Sequence, residues 1–166
     1  KKIKNLRNTT PTFFETLILL SHAERMNVNY AFIEASSIGY KEGRLGYLKY
    51  NYCLLTNLRS DHLDYHGNLS DYHKSKLNII NNHYKKNSKI FIQDKIENKK
   101  LDKIQNKIIL QDDFIKKYKF DIIQKYKYFE IISNNRTYKI RTFNNFVIKN
   151  TISIIFLYFL ILRKWP

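Results

Sequence analysis

Apolar positions along this chain change their period several times, and each change marks an element. Phe13, Phe14, Leu17, Ile18, Leu20 and Ala23 recur at helical spacing and predict a helix to about Met26, with Pro11 tolerated near its first turn and Thr9 and Thr10 as candidate caps. A contiguous apolar run, Tyr30 to Ile33, predicts a short strand over 29–34. A loop carrying Gly39 and Gly43 leads to a second, bulkier run that predicts a buried strand over 50–55. The text then turns polar and places Asp61, His62, Asp64 and His66 close together. Asn68 or Ser70 can cap a helix reaching about Tyr84, with Asp71 favourably placed in its first turn. A short strand follows at 89–92, and the lysine-rich stretch 97–119 fits helix and loop equally. Alternating runs at 125–132 and 136–143, separated by Ser133, Asn134 and Asn135, predict a hairpin. The tail holds an apolar stretch at 154–162, far short of the roughly 20 residues that span a bilayer, so it reads as a buried core helix.

Strand, connection and strand in this order predict an α/β fold with a mostly parallel sheet. Both early strands end in polar groups: Glu34 with Ser36 and Ser37 after the first, Thr56 to Gly67 after the second. Ligands of open parallel sheets bind beyond the carboxyl ends of the strands, so this layout predicts a site.

A chain of 166 residues is one domain's worth, and 43% hydrophobic content argues against disorder. The single cysteine, Cys53, lies in an apolar strand and reads as a small buried hydrophobe; no disulfide can form within one chain, which fits a reducing compartment. The net charge of +16 points at polyanions. The lysines, however, travel with Asn, Ile and Tyr along the whole chain, and 85–127 mixes them with acidic and apolar residues. We therefore expect no nucleic-acid partner, while the positive field helps to recruit anionic small substrates. The start, KKIKNLRNTTP, has basic residues without an apolar core behind them, so no signal peptide is expected.

Five pieces of text stand out: NTTP at Asn8 to Pro11, EASS at Glu34 to Ser37, Gly39 with Arg44, TNLRSDHLDYHG at Thr56 to Gly67, and YHKSK at Tyr72 to Lys76. In order and spacing they resemble the central ATPase domain of the Mur ligases, most of all those members that add a diamino acid to UDP-N-acetylmuramoyl-L-alanyl-D-glutamate. The resemblance covers roughly the first half of the chain and implies a Rossmann-like, mostly parallel sheet, here a partial central domain over 1–162 ending in a hairpin and a buried helix. It implies ATP-dependent amide ligation through an acyl phosphate, with meso-diaminopimelate or lysine as the added residue. It further implies Mg²⁺ held by Glu34, His62 and Lys76, the lysine as a carbamate, with Lys76 and His62 as catalytic groups. Thr9, Thr10, Ser37 and Arg44 are implied as contacts to the muramoyl-dipeptide. By themselves the residues read more plainly: the threonines as helix caps, Arg44 as a surface ion pair, Glu34 as a local cap or pair, His62 as a loop histidine that Asp61 orients, Lys76 as solvated, and Asp64 and His66 as fixing the turn.

Two residues depart from the family pattern: Ile38 stands where histidine is usual, and Glu42 where glutamine is common, which sets a negative charge near an anionic substrate. IFIQDK, with Gln93 and Asp94, matches the nucleotide-contacting strand end too loosely for an assignment. No GxxxxGK[ST] run occurs, the only glycines being Gly39, Gly43, Gly46 and Gly67. The expectation is a piece without its phosphate-binding loop and without the UDP-binding and amino-acid-binding domains, monomeric, cytoplasmic, not inserted in a membrane, and inactive alone. The alternatives are another Mur ligase or a folylpolyglutamate synthetase, a degenerate fragment, or a basic protein that binds nucleic acid or membrane.

Overall fold

The computed structural model describes residues 8–93, 108–142 and 144–166, with the backbone alone over 108–110. The chain divides into two compact units, one of residues up to Asn51 with Leu58–Ser88, the other of Tyr52–Asn57 with Lys89–Pro166.

The first unit is helical. Helix α1 spans Phe13–Arg25 and starts in a capping box: the Thr12 side chain accepts from the Glu15 N–H, and the Glu15 carboxylate accepts from Thr12 N–H at 3.0 Å. The cap is thus Thr12, and not Thr9 or Thr10 as the sequence suggested; Thr10 is buried and bonded elsewhere. Of this helix only Thr16 is buried, and Phe14 and Ile18 stay exposed. The expected strand over 29–34 is not formed, and Phe32 is 80% exposed. Apolar text favours extended backbone, but a ladder needs a partner edge, and no described strand pairs with this run. The loop expected after Ser36 contains a short helix, α2, at Ser37–Lys41.

Strand β1 is Tyr50–Leu55, of which only Leu55 is fully buried, less than the buried strand that its apolar text predicted. A single turn, α3, at Leu63–His66 precedes α4 at Leu69–His83. Helix α4 is capped by Asn68, whose side chain accepts from the Asp71 N–H; it buries Tyr72, Ser75, Ile79 and His83 along one stripe, and Leu77 and Ile80 beside it. Strand β2 follows directly at Tyr84–Ile92, longer at its start than the expected 89–92. The Ser88 hydroxyl donates to the Tyr50 carbonyl, and Gln93 N–H donates to the Leu55 carbonyl at 3.0 Å, so β1 and β2 ascend together.

In the second unit β2 pairs in parallel with β3, Ile108–Leu110, in the register Ile90↔Ile108, which bears out the parallel α/β expectation. Helix α5, Gln111–Lys117, occupies part of the stretch read as helix or loop; 97–107 lies outside the described residues. The hairpin forms as β5, Phe129–Ser133, against β6, Arg136–Ile140, closed by Asn134 and Asn135 at φ 49° and 60°. Its outer partner β4, Asp121–Gln124, was not expected: all four residues are exposed, so no alternation marks it. Helix α6, Asn145–Leu162, is long and apolar enough to cross a membrane by length and composition. One face of it, Ile148, Ile152, Ile155 and Phe156, lies in a core with Phe91, Phe114 and Ile131, but the helix is twice the length of the apolar stretch read at 154–162 and only 28% of it is buried, less than a buried core helix predicts. At about 1.5–3 kcal/mol per fully buried large apolar side chain, this cluster outweighs any single polar contact in the unit. Within it Ser153 Oγ donates to Gln111 Oε1 at 2.9 Å, so the buried hydroxyl is satisfied.

Candidate functional site

The NTTP and EASS segments meet through one hydroxyl. Thr10 is 1% exposed; its Oγ1 donates to the Glu34 carbonyl at 2.9 Å and accepts from the Ser36 N–H at 2.8 Å. Ser36 Oγ in turn caps α2 by accepting from the Gly39 N–H at 3.0 Å. The approach is so close that a Cβ on Gly39 would lie 2.7 Å from Thr10 Cβ, which only glycine avoids. Arg44 closes the knot: Nη1 donates to the Thr10 carbonyl at 3.2 Å and Nη2 pairs with Glu42. The charge that departs from the family pattern, Glu42, therefore neutralises the guanidinium. Thr9 and the Glu34 side chain are exposed at the edge of this knot.

The second cluster is built by α3 and α4. His62 begins α3 in the left-handed conformation, φ 50°, and its N–H donates to Asp61 Oδ1 at 2.9 Å. Asp61 Oδ2 lies 3.5 Å from His62 Nε2, so Asp61 does reach the imidazole, and both side chains are open to solvent. One turn later Gly67, at φ 77°, ends α3, and His66 is carried inward to 4% exposure. Its Nε2 lies 3.0 Å from Ser37 Oγ, and its buried Nδ1 has no hydrogen-bond partner. Burial, then the charges of Lys41 and His62, hold its pKa below the ordinary imidazole value, against opposing contributions from Asp71 and Asp64. The rings of Tyr65 and Tyr72 meet it edge-on at 5.2 and 5.4 Å.

Tyr72 and Lys76 share a face of α4, with Lys76 Nζ 4.8 Å from the centre of the Tyr72 ring. Burial lowers the Lys76 pKa, and Asp61 opposes that shift. Burial first, and Asp61 after it, raises that of Tyr72. Cys53 is half-buried rather than the fully buried hydrophobe its text predicted, and that burial pushes its thiol up to about 11.

The structure thus joins Thr10, the Glu34 backbone and Arg44 in one knot, Ser37 with His66, and Lys76 with Tyr72. Among the described residues no three His, Cys, Asp or Glu side chains are grouped to hold an ion. His66 is the residue whose importance sequence reasoning missed. In the text it is one more polar residue of a loop, and only the aromatic pair Tyr65 and Tyr72 hinted at an enclosed ring.

A family model described as the Mur ligase middle domain matches residues 1–157. Among curated proteins, a UDP-N-acetylmuramoyl-L-alanyl-D-glutamate–2,6-diaminopimelate ligase of Buchnera aphidicola is 30% identical over 120 residues, 70% of this chain and 24% of that protein. Its counterpart in Wigglesworthia glossinidia is 33% identical over 122 residues, 71% of this chain and 24% of the relative. That of Helicobacter pylori is 38% identical over 76 residues, 46% of this chain and 17% of the relative. The matched part of the chain spans at most about a quarter of the length of these relatives.

Proposed function

Because this chain belongs to the Mur ligase family through its middle domain, we propose that it forms part of an ATP-dependent ligase of peptidoglycan precursor synthesis, joining a diamino acid to UDP-MurNAc-L-Ala-D-Glu. The substrate carboxylate attacks the γ-phosphate and ADP leaves; the amine of the diamino acid then displaces phosphate from the acyl phosphate to form the amide. The reaction belongs in the cytoplasm, where ATP and the nucleotide-linked precursor are found.

The observation that carries this reading is the knot at Thr10, where segments 24 to 34 residues apart converge on one hydroxyl and its own carbonyl. These are the segments in which the resemblance implies the dipeptide contacts. Arg44 offers a planar fork suited to a carboxylate or phosphate, and an anionic substrate has to compete with Glu42 for it. Thr9 and Ser37 flank the same knot and complete the assigned contacts.

Mg²⁺ prefers oxygen donors, and one carboxylate with one imidazole is a poor set for it. Lys76 adds a donor only after its neutral amine attacks CO₂, forming an N–C bond and losing a proton to leave an anionic carbamate. Burial of Lys76 favours the neutral amine that this step needs. In that state the ion would be held by Glu34, His62 and the Lys76 carbamate. The ion, when bound, withdraws charge from the transferring phosphoryl oxygens. Carbon-13 NMR of the chain in labelled bicarbonate is expected to show a carbamate carbonyl that disappears in Lys76→Arg; a spectrum with no Lys76-dependent carbamate overturns the lysine's assignment.

A further inference from the structure

Two protonation patterns of a neutral imidazole are compatible with the 3.0 Å contact between His66 Nε2 and Ser37 Oγ. In one, Nδ1 carries the proton, and a buried N–H is left without an acceptor. In the other, Nε2 carries it and donates to the serine, the lone pair at Nδ1 goes unpaired, and the Ser37 hydroxyl proton is the donor left without an acceptor. Each pattern thus leaves one buried donor without an acceptor; the Nδ1–H is held between the flanking tyrosine rings, whereas the Ser37 O–H turns about its C–O bond and is the one an incoming ligand oxygen satisfies. Protonation of both nitrogens orphans the same N–H and buries a charge near Lys41 and His62 as well. The flanking rings of Tyr65 and Tyr72 leave the imidazole little room to turn.

We propose that His66 is a positioning residue for Ser37: protonated on Nε2, it donates to Ser37 Oγ and so leaves the serine proton for an acceptor oxygen of the anionic muramoyl-dipeptide. This rests on the proposed function for the identity of the ligand, and on the geometry for the rest. Among the described residues Ser37 Oγ has no other hydrogen-bond partner than His66, so its proton is uncommitted. Ser37 is 2% exposed, and a hydroxyl already stripped of water makes a stronger hydrogen bond to an incoming anion than a solvated one does.

The tautomer is read directly by long-range ¹⁵N–¹H correlation spectra of the histidine-labelled chain. An Nε2–H pattern at His66 at neutral pH, shifted by Ser37→Ala, is expected; an Nδ1–H or doubly protonated ring overturns the proposal. Calorimetric titration with UDP-MurNAc-L-Ala-D-Glu tests the consequence. His66→Leu is expected to weaken binding about tenfold, while His66→Gln, which keeps a donor at a similar reach, stays within about threefold of the wild type. In a Ser37→Ala background, His66→Leu is expected to cost nothing more. An equal loss in both backgrounds marks His66 as merely structural and overturns the proposal, with thermal unfolding of each variant as the check on folding. A wild-type chain that binds no dipeptide overturns Ser37 as a dipeptide contact and the ligand half of this inference with it, whereas binding together with the wrong tautomer overturns this inference alone.

Discussion

At Thr10 a single hydroxyl meets two backbone groups, the carbonyl of Glu34 and the N–H of Ser36, 24 and 26 residues away. Each bond is worth only about 1 kcal/mol net, but a buried partner left without one costs about 1–3 kcal/mol. Thr10→Val keeps the shape and removes the oxygen, so urea unfolding is expected to show a loss of at least about 2 kcal/mol, read as a lower midpoint at unchanged slope. A loss below about 0.5 kcal/mol would mean that water replaces the hydroxyl. The NTTP text pointed to this position, as a cap in one reading and a substrate contact in the other, and neither foresaw a residue that ties two segments together. Arg44 was read as an ion pair on the residues alone, and it is one, with Glu42. His66 is the reverse case: a polar loop residue by its text, a buried ring by its surroundings.

Elements whose signal is local were legible. Helix α4 has an Asx cap and apolar residues at 3.6 spacing; the hairpin has two alternating runs around a turn of asparagines. Both Asn134 and Asn135 adopt positive φ, which asparagine tolerates and β-branched residues do not. Asn135→Val is therefore expected to lower the thermal midpoint by an amount equal to about 1–2 kcal/mol, and Asn135→Gly to leave it unchanged or raise it. Equal stability of the two variants would show that the turn does not hold this conformation. Strand β4 was not legible, because a strand with every residue exposed has no period to read. The run at 29–34 failed in the opposite way, since its text is strand-like while ladder formation depends on an edge elsewhere. Helix α1 shows the same limit, for its apolar stripe is present but Phe14 and Ile18 remain uncovered among the described residues.

On the scale of the whole chain, charge and motif content set what these residues can do. The net charge of +16 is an excess of cationic over acidic side chains that remains even though Glu42 pairs with Arg44 and Glu130 with Lys139, and it draws anionic molecules toward the chain. No GxxxxGK[ST] run occurs in the 166 residues, so this stretch by itself has no such cradle for the ATP phosphates. It is expected to release no phosphate from ATP above the background rate when supplied with UDP-MurNAc-L-Ala-D-Glu and diaminopimelate, in a coupled phosphate assay. Phosphate release dependent on the dipeptide would overturn that expectation and locate a nucleotide site within these residues.

The amino-acid sequence alone determined the family resemblance, the α/β class, the helices with local caps and the asparagine turn, because spacing, capping and turn chemistry are properties of contiguous residues. Tertiary structure alone decided that Thr10 ties Glu34 to Ser36, that His66 is enclosed against Ser37, and that the Arg44 fork bridges the Thr10 carbonyl and the Glu42 carboxylate. These contacts depend on which backbone and side-chain groups lose water together, and partners 24 to 29 residues apart leave no periodic trace in the text between them.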